Sequence, residues 1–207
     1  MVACGESTKV ALTAPATLTG DPMTVVSLDA EFAPGLELAV ASGYYWAPYL
    51  GGPNEAPGDT SWKLPLVAGL RAAGKLSPGW WVDYNPTTAS GQAAVTAAKA
   101  LGYVPGNWIL LDGEGIFQSG LGVGAAWAAA VHAAGFKAGA YGYGLPRGGG
   151  NGSFDGLFLA AYSGSRGLSN PPALPSDLVG WQYTNVGSVA GTSVDGSVIS
   201  TAIIGGK

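Results

Sequence analysis

Trp108-Ile109-Leu110-Leu111-Asp112-Gly113-Glu114-Gly115 is a strand that runs straight into chemistry. Its first four residues are apolar without alternation, as befits a strand buried on both faces between a barrel interior and a layer of helices. Asp112 and Glu114 stand two positions apart, so on an extended chain they point to one side with Cα atoms roughly 6 to 7 Å apart. Gly113 and Gly115 leave room beside them for a ligand or a tight turn.

Outward from this segment, short β-branched or aromatic runs alternate with Ala-rich stretches, the sequence form of repeated βα units. Strands are predicted at Val25 to Asp29, Tyr44 to Leu50, Trp80 to Asn85, Trp108 to Asp112, Lys137 to Tyr143, Leu157 to Tyr162, Leu178 to Tyr183 and Ser193 to Ile199. Helices are predicted at Leu64 to Ala73, Ala89 to Leu101 and Val123 to Ala134, each ending at a Gly suited to a C-cap. The connections around Gly144 to Phe154 and Gly164 to Asp177 are rich in Gly, Pro and Ser and should lack full helices. The expectation is an α/β fold: residues 24–207 as one (β/α)8 TIM-type barrel, irregular in its second half. Residues 1–23 break the pattern and are expected to form an N-terminal arm or an extra strand. A chain of 207 residues lies near the lower limit for an eight-fold barrel.

Composition excludes several functions. A net charge of −4 with nine scattered Lys and Arg supplies no basic stripe, so nucleic acid is not an expected ligand. No run approaches the ~18 consecutive apolar residues of a membrane span. Cys4 is the single cysteine and His132 the single histidine, the latter in an Ala-rich helical stretch, so neither a disulfide nor a histidine-rich metal site is expected. No cofactor motif is present. Residues 1 to 9 lack a basic stretch followed by an apolar core, so no secretory signal is expected.

In a barrel of this type the active site lies at the C-terminal strand ends. Acids recur there: Asp29 and Glu31 in SLDAE, Asp83 in WWVDYN, Asp112 and Glu114, and Asp195 in the last strand. A glycosidase needs one carboxyl that keeps its proton for the leaving oxygen and another, ionised, that activates water or stabilises positive charge. Glu114 is the expected general acid, its proton retained by crowding from Asp112, Asp29 and Asp195. The competing reading is that these acids cap turns. Tyr45, Trp46, Tyr49, Trp81, Tyr84, Tyr141, Tyr143, Tyr162, Trp181 and Tyr183 lie near the same ends, and flat rings stack on sugar faces. Gln182 is a polar group within an otherwise buried strand and so requires a partner. Trp181, Gln182, Tyr183, Tyr45, Trp46, Tyr143 and Asp83 are the expected substrate-binding residues.

The succession SLDAEF, GYYWAPYLGG, LVAGLRAAGKLSPGWWVDYN, GQAAVTAAKALGY, WILLDGEG, AGFKAGAYGYG, FLAAYSG, WQYT and VDGSVI resembles the glycoside-hydrolase-like domain of unknown function 1906. That group is similar in turn to the family 25 lysozymes, the N-acetylmuramidases. The resemblance spans roughly Val25 to Ile199. It implies Asp29, Asp112, Glu114 and Asp195 as catalytic residues, with Trp181, Gln182 and Tyr183 in a W-Q-Y motif. VDGS lacks the Asn that the lysozymes commonly carry two residues after Asp, and FLAAY lacks their first-position Trp. The implied function is hydrolysis of cell-wall peptidoglycan, muramidase-like, by a phage lysin or virion-associated module acting outside the cell. The alternative is a non-catalytic glycan-binding or structural module on a virion or cell surface. Expected partners are a glycan and other virion proteins.

Overall fold

A computed structural model describes residues 24–30, 32–55, 62–147, 150–162, 168, 170–189 and 192–204. The predicted arm at residues 1–23, Cys4 and Glu31 lie outside them. The strands are β1 (Thr24–Asp29), β2 (Tyr45–Ala47), β3 (Tyr49–Gly51), β4 (Gly79–Val82), β5 (Trp108–Asp112), β6 (Lys137–Gly142), β7 (Gly156–Ala160), β8 (Gly180–Val189) and β9 (Thr192–Ser200). They form one sheet in the order β2-β1-β9-β8-β7-β6-β5-β4-β3.

The two ends of that order are halves of one extended segment, which closes the sheet into a near-complete barrel. The stretch expected as a single strand from Tyr44 to Leu50 is divided at Pro48, which has no N–H to give a ladder. β2 pairs with β1, β3 pairs with β4, and the Pro48 carbonyl still accepts the Trp80 N–H at 2.9 Å. Counting the divided segment once, eight strands surround the interior.

Seven of these segments run parallel, and β9 opposes both of its neighbours. A regular (β/α)8 barrel keeps all eight strands parallel, so β9 is a local departure within the expected barrel. Val189 of β8 pairs with Thr192 of β9, so only two residues join the strands. So short a link makes a hairpin, whereas a parallel crossover needs a dozen residues or more.

Side chains alternate between two cores. Val25, Ala47, Trp80, Leu110, Tyr141, Phe158, Ala160 and Ile199 fill the barrel. Leu28, Trp46, Trp81, Ile109, Leu111, Ala138, Ala140 and Leu157 face the surrounding helices and loops. Trp80 meets Tyr141 edge-on at 4.5 Å and Phe158 at 5.1 Å, an aromatic plug halfway up the barrel.

Helices α2 (Leu64–Ala72), α3 (Thr88–Ala100) and α4 (Ala125–Ala133) match the predicted ones within a few residues. Val123, the predicted start of α4, lies in a preceding 3-10 turn, Leu121–Gly124. Gly74, Gly102 and Gly135 follow the three helices in the left-handed conformation, as their C-cap role requires. Thr87 and Ser90 form a capping box at α3. One helix was not anticipated, α1 (Leu36–Ala41). It has six residues and no side-chain cap, too short to show a helical period. Among the described residues, the connections after β6 and β7 carry no helix.

Candidate active site

Because β9 runs the opposite way, the mouth formed by the C-terminal ends of the parallel strands coincides with the N-terminal half of β9. One layer of inward-facing residues circles this mouth. β1 supplies Asp29, β3 Tyr49, β5 Asp112, β6 Tyr141, β7 Ala160, β8 Gln182 and β9 Asp195. Asp29 is registered directly opposite Asp195 in the β1–β9 ladder, and Asp112 beside Tyr141. Tyr49 donates its hydroxyl to Oδ1 of Asp29 at 3.3 Å, and Gln182 Nε2 donates to Oδ2 of Asp195 at 2.8 Å.

The three aspartates are close enough to act on one another. Burial, reinforced by the charges of Asp195 and Asp112, raises Asp29 well above the usual carboxylate range. Burial and then the charge of Glu114 push Asp112 up to about 7, against the Glu114 N–H that its Oδ1 accepts at 3.3 Å. Burial lifts Asp195 to about 6, with the Gln182 amide pulling the other way. Ion pairs seen among the described residues lie elsewhere, at His132–Asp155, Lys137–Asp155 and Arg147–Asp177. The mouth therefore gathers buried carboxyls whose proton affinity is raised by burial and by one another.

Glu114 is held by its backbone. Its φ of +50° is left-handed, and no other non-glycine among the described residues has a positive φ. That conformation costs a Glu on the order of 1 kcal/mol, and such outliers gather at functional sites. The glycines around it are spoken for by close packing. A Cβ on Gly142 would stand 2.0 Å from the Glu114 carbonyl, one on Gly115 2.8 Å from the Tyr143 hydroxyl, and one on Gly113 2.7 Å from Ile116. The space beside the acids is thus filled by a tight turn and its own side chains.

Of the expected binding residues, the structure brings Gln182 and Tyr143 to the mouth and sets others apart. Trp46 is fully buried on the outer face, its indole donating to the Ala39 carbonyl at 3.0 Å beneath α1. Tyr183 is likewise buried outside the barrel, its hydroxyl on the Leu168 carbonyl at 3.1 Å. Neither ring can touch a ligand in the mouth, because strand alternation turns residues next to inward-facing ones outward. Trp181 is half-buried on that same outer face, bonded to the Ala161 carbonyl at 2.8 Å. Tyr45 pairs with Ser27, two positions below Asp29, with the Lys75 ammonium 4.8 Å from its ring. Asp83 is 1% exposed and follows β4 on the outward register; its Oδ1 accepts the Asn85 N–H at 2.9 Å, which is the turn-capping role.

Other residues take those places. Tyr49 and Tyr141 line the mouth, and the exposed rings of Tyr84, Tyr143 and Tyr162 stand around it. Tyr84 is close enough to feel Asp112 and Glu114, and Tyr162 to feel Asp195, Glu114 and Asp29. A cavity of about 460 Å³ opens beside Asp29 and Asp195, lined by Tyr49, Thr192, Ser193 and the 64% exposed Phe32. Phe32, Thr192 and Ser193 carry no sequence signal beyond proximity to the two acids. No group of three or more His, Cys, Asp or Glu among the described residues is disposed to hold a metal ion, and no described helix is long and apolar enough to cross a membrane.

No protein-family model matches the sequence, and no curated protein matches it. Solved structures do share its fold. The catalytic domain of endolysin Ply40 from bacteriophage P40 of Listeria monocytogenes superposes with a TM-score of 0.60 at 18% identity, covering 89% of this chain and 97% of that one. The Mycobacterium tuberculosis Tat-secreted protein Rv2525c, in complex with L-tartrate, gives 0.58 at 13% identity over 86% and 96%. GHIP, a glycosyl hydrolase 25 of Streptococcus pneumoniae, gives 0.55 at 15% identity over 85% and 87%. These structures and this chain share one barrel fold.

Proposed function

We propose that the chain is a glycoside hydrolase of bacterial cell-wall peptidoglycan, muramidase-like and allied to the 1906 domain group by the order of its motifs. The observation that carries this reading is the meeting of four carboxyls, from β1, β9, the end of β5 and the turn after it, in one mouth without a cationic partner among the described residues. A fold that needed only stability would pair or solvate such groups, so their concentration points to proton transfer and to stabilisation of developing positive charge.

In this mechanism Glu114, half-buried at the entrance and aimed by its left-handed backbone, delivers the proton to the glycosidic oxygen. The Asp29–Asp195 pair and Asp112 lie below it, where an ionised carboxylate stabilises an oxocarbenium-like sugar carbon or orients the attacking water. Tyr84, Tyr143, Tyr162 and Phe32 supply flat surfaces for the neighbouring sugars. Endolysin and glycosyl hydrolase neighbours support a lysin or virion-associated module acting at the wall outside the cell. The exposed rings would equally serve a non-catalytic wall-binding module, and activity separates the two. The test is release of reducing sugar from purified peptidoglycan between pH ~4 and 8 by wild type and Glu114→Gln, with wall retention measured in parallel. Turnover lost while retention survives supports the hydrolase. A wild type that binds walls but is inert on every peptidoglycan tried rejects it.

A further inference from the structure

Part of the inward layer is linked by hydrogen bonds. Tyr141 donates its hydroxyl to Oε1 of Gln182, and Gln182 Nε2 donates to Oδ2 of Asp195 at 2.8 Å. The Tyr162 hydroxyl is close enough to act on Tyr141. An amide oxygen has no proton to give, so in this bond Tyr141 is the donor and Gln182 the acceptor. The bridge crosses β7 where the residue registered with Gln182 is Ala160, small enough to leave the path open.

The amide is therefore oriented from behind. Reversed, it would set Oε1 against Oδ2 of Asp195, an arrangement tolerable only if Asp195 held the proton, and its Nε2 would face a Tyr141 hydroxyl that must then accept and turn its own proton elsewhere. Asp195 stands directly opposite Asp29, and Cβ atoms of such a pair are about 4.5–5.5 Å apart. Two carboxyls at that separation resist ionising together. Asp29 receives the longer Tyr49 bond of 3.3 Å and its own backbone N–H, while Asp112 acts on it through charge. Tyr162 and Glu114 complete the titratable groups facing the pair.

We propose that Gln182 is a positioning residue, locked by Tyr141, that places the negative charge of the Asp29–Asp195 pair on Asp195 and leaves the proton on Asp29. The directions of the two carboxyls agree. Burial raises both, yet Asp195 reaches only about 6, because the Gln182 N–H favours its ionised form. The polarity would give the hydrolase one defined carboxylate beside the reacting sugar, and that meaning rests on the function proposed above.

The test does not rest on it. Aspartate carboxyls labelled with ¹³C are titrated by NMR between pH ~4 and 9, with Asp29→Asn and Asp195→Asn supplying assignments. In wild type Asp195 should ionise at lower pH than Asp29. Gln182→Leu and Tyr141→Phe should each move the Asp195 midpoint up by about one pH unit, a tenfold change in proton affinity. Tyr141→Phe removes a single oxygen and carries the test if Gln182→Leu fails to fold. Unchanged midpoints in Tyr141→Phe, or a wild type in which Asp29 ionises first, overturn the proposal. On an active enzyme the same variants should shift the acid limb of the pH–rate profile upward. Absence of wall hydrolysis leaves the titration readable, so the two failures are distinguishable.

Discussion

Asp155 and Asp29 are aspartates at opposite ends of the same barrel, and the chain treats them in opposite ways. Asp155 precedes β7 at the closed end, where it accepts the Ala138 N–H at 2.8 Å and pairs with His132 at 2.8 Å and Lys137 at 3.0 Å. Partial burial works to raise its carboxyl, but those three donors outweigh it and hold it below the usual range. Asp29, at the mouth, is buried beside two neighbouring carboxyls, which outweigh the long Tyr49 bond and its own backbone N–H, and is raised. The closed end is built as a surface that holds the barrel together. The mouth carries an electrostatic cost that folding alone does not require, which supports the active-site role proposed for it.

The sharpest way to break this contrast is to neutralise the mouth. Glu114→Gln keeps shape but cannot deliver a proton, so turnover should fall by on the order of 10² to 10⁴ in the reducing-sugar assay. Activity near wild type would remove Glu114 from the mechanism. Asp112→Asn should impair turnover too, yet stabilise the fold at pH 8 by about 1–3 kcal/mol, since it removes a buried charge at its most costly.

The pH dependence of stability sharpens the same point. Asp112 and Asp195 keep protons in the folded chain up to about 7 and about 6, whereas unfolded aspartates lose theirs near ~3.9. Between these values the native state binds more protons, so stability should fall as pH rises from about 4 to 7. Asp155 slopes the other way, losing its contribution as pH falls below ~3.9 through its depressed folded value. Thermal melts should show Tm declining from pH ~4.5 to ~8 in wild type and declining less in Asp112→Asn. Equal slopes would mean that Asp112 is ionised at both ends of the range.

Smaller effects follow at the rim and the closed end. Tyr143→Ala and Tyr162→Ala should each weaken retention on purified wall by ~1–3 kcal/mol with the fold intact. Unchanged retention would assign glycan contact to other surfaces. Asp155→Asn should cost within about 1 kcal/mol and leave turnover alone, as expected of partly exposed pairs. Lost turnover there would erase the distinction between the two ends.

Much of this was open to reading from local pattern. The doubly apolar WILL before Asp112, the Ala-rich segments and the terminal Gly residues predict strands and helices because burial and capping act within a few residues of the chain. The same locality placed Asp29, Asp112, Glu114 and Asp195 at strand ends. It misjudged Trp46 and Tyr183, because which alternate residues face inward depends on the register of the whole sheet. It also missed Phe32, Thr192 and Ser193, which reach the mouth only through the β1–β9 pairing.

By itself, then, the sequence determined the order of elements, the barrel class and the identity of the acids. Only the tertiary structure decided that β9 turns back against its neighbours, that Asp195 faces Asp29, and that three aspartates rather than one residue share the raised proton affinity. The reason is range: propensity and periodicity are local, whereas burial and the interaction of charges depend on residues that folding brings from distant parts of the chain.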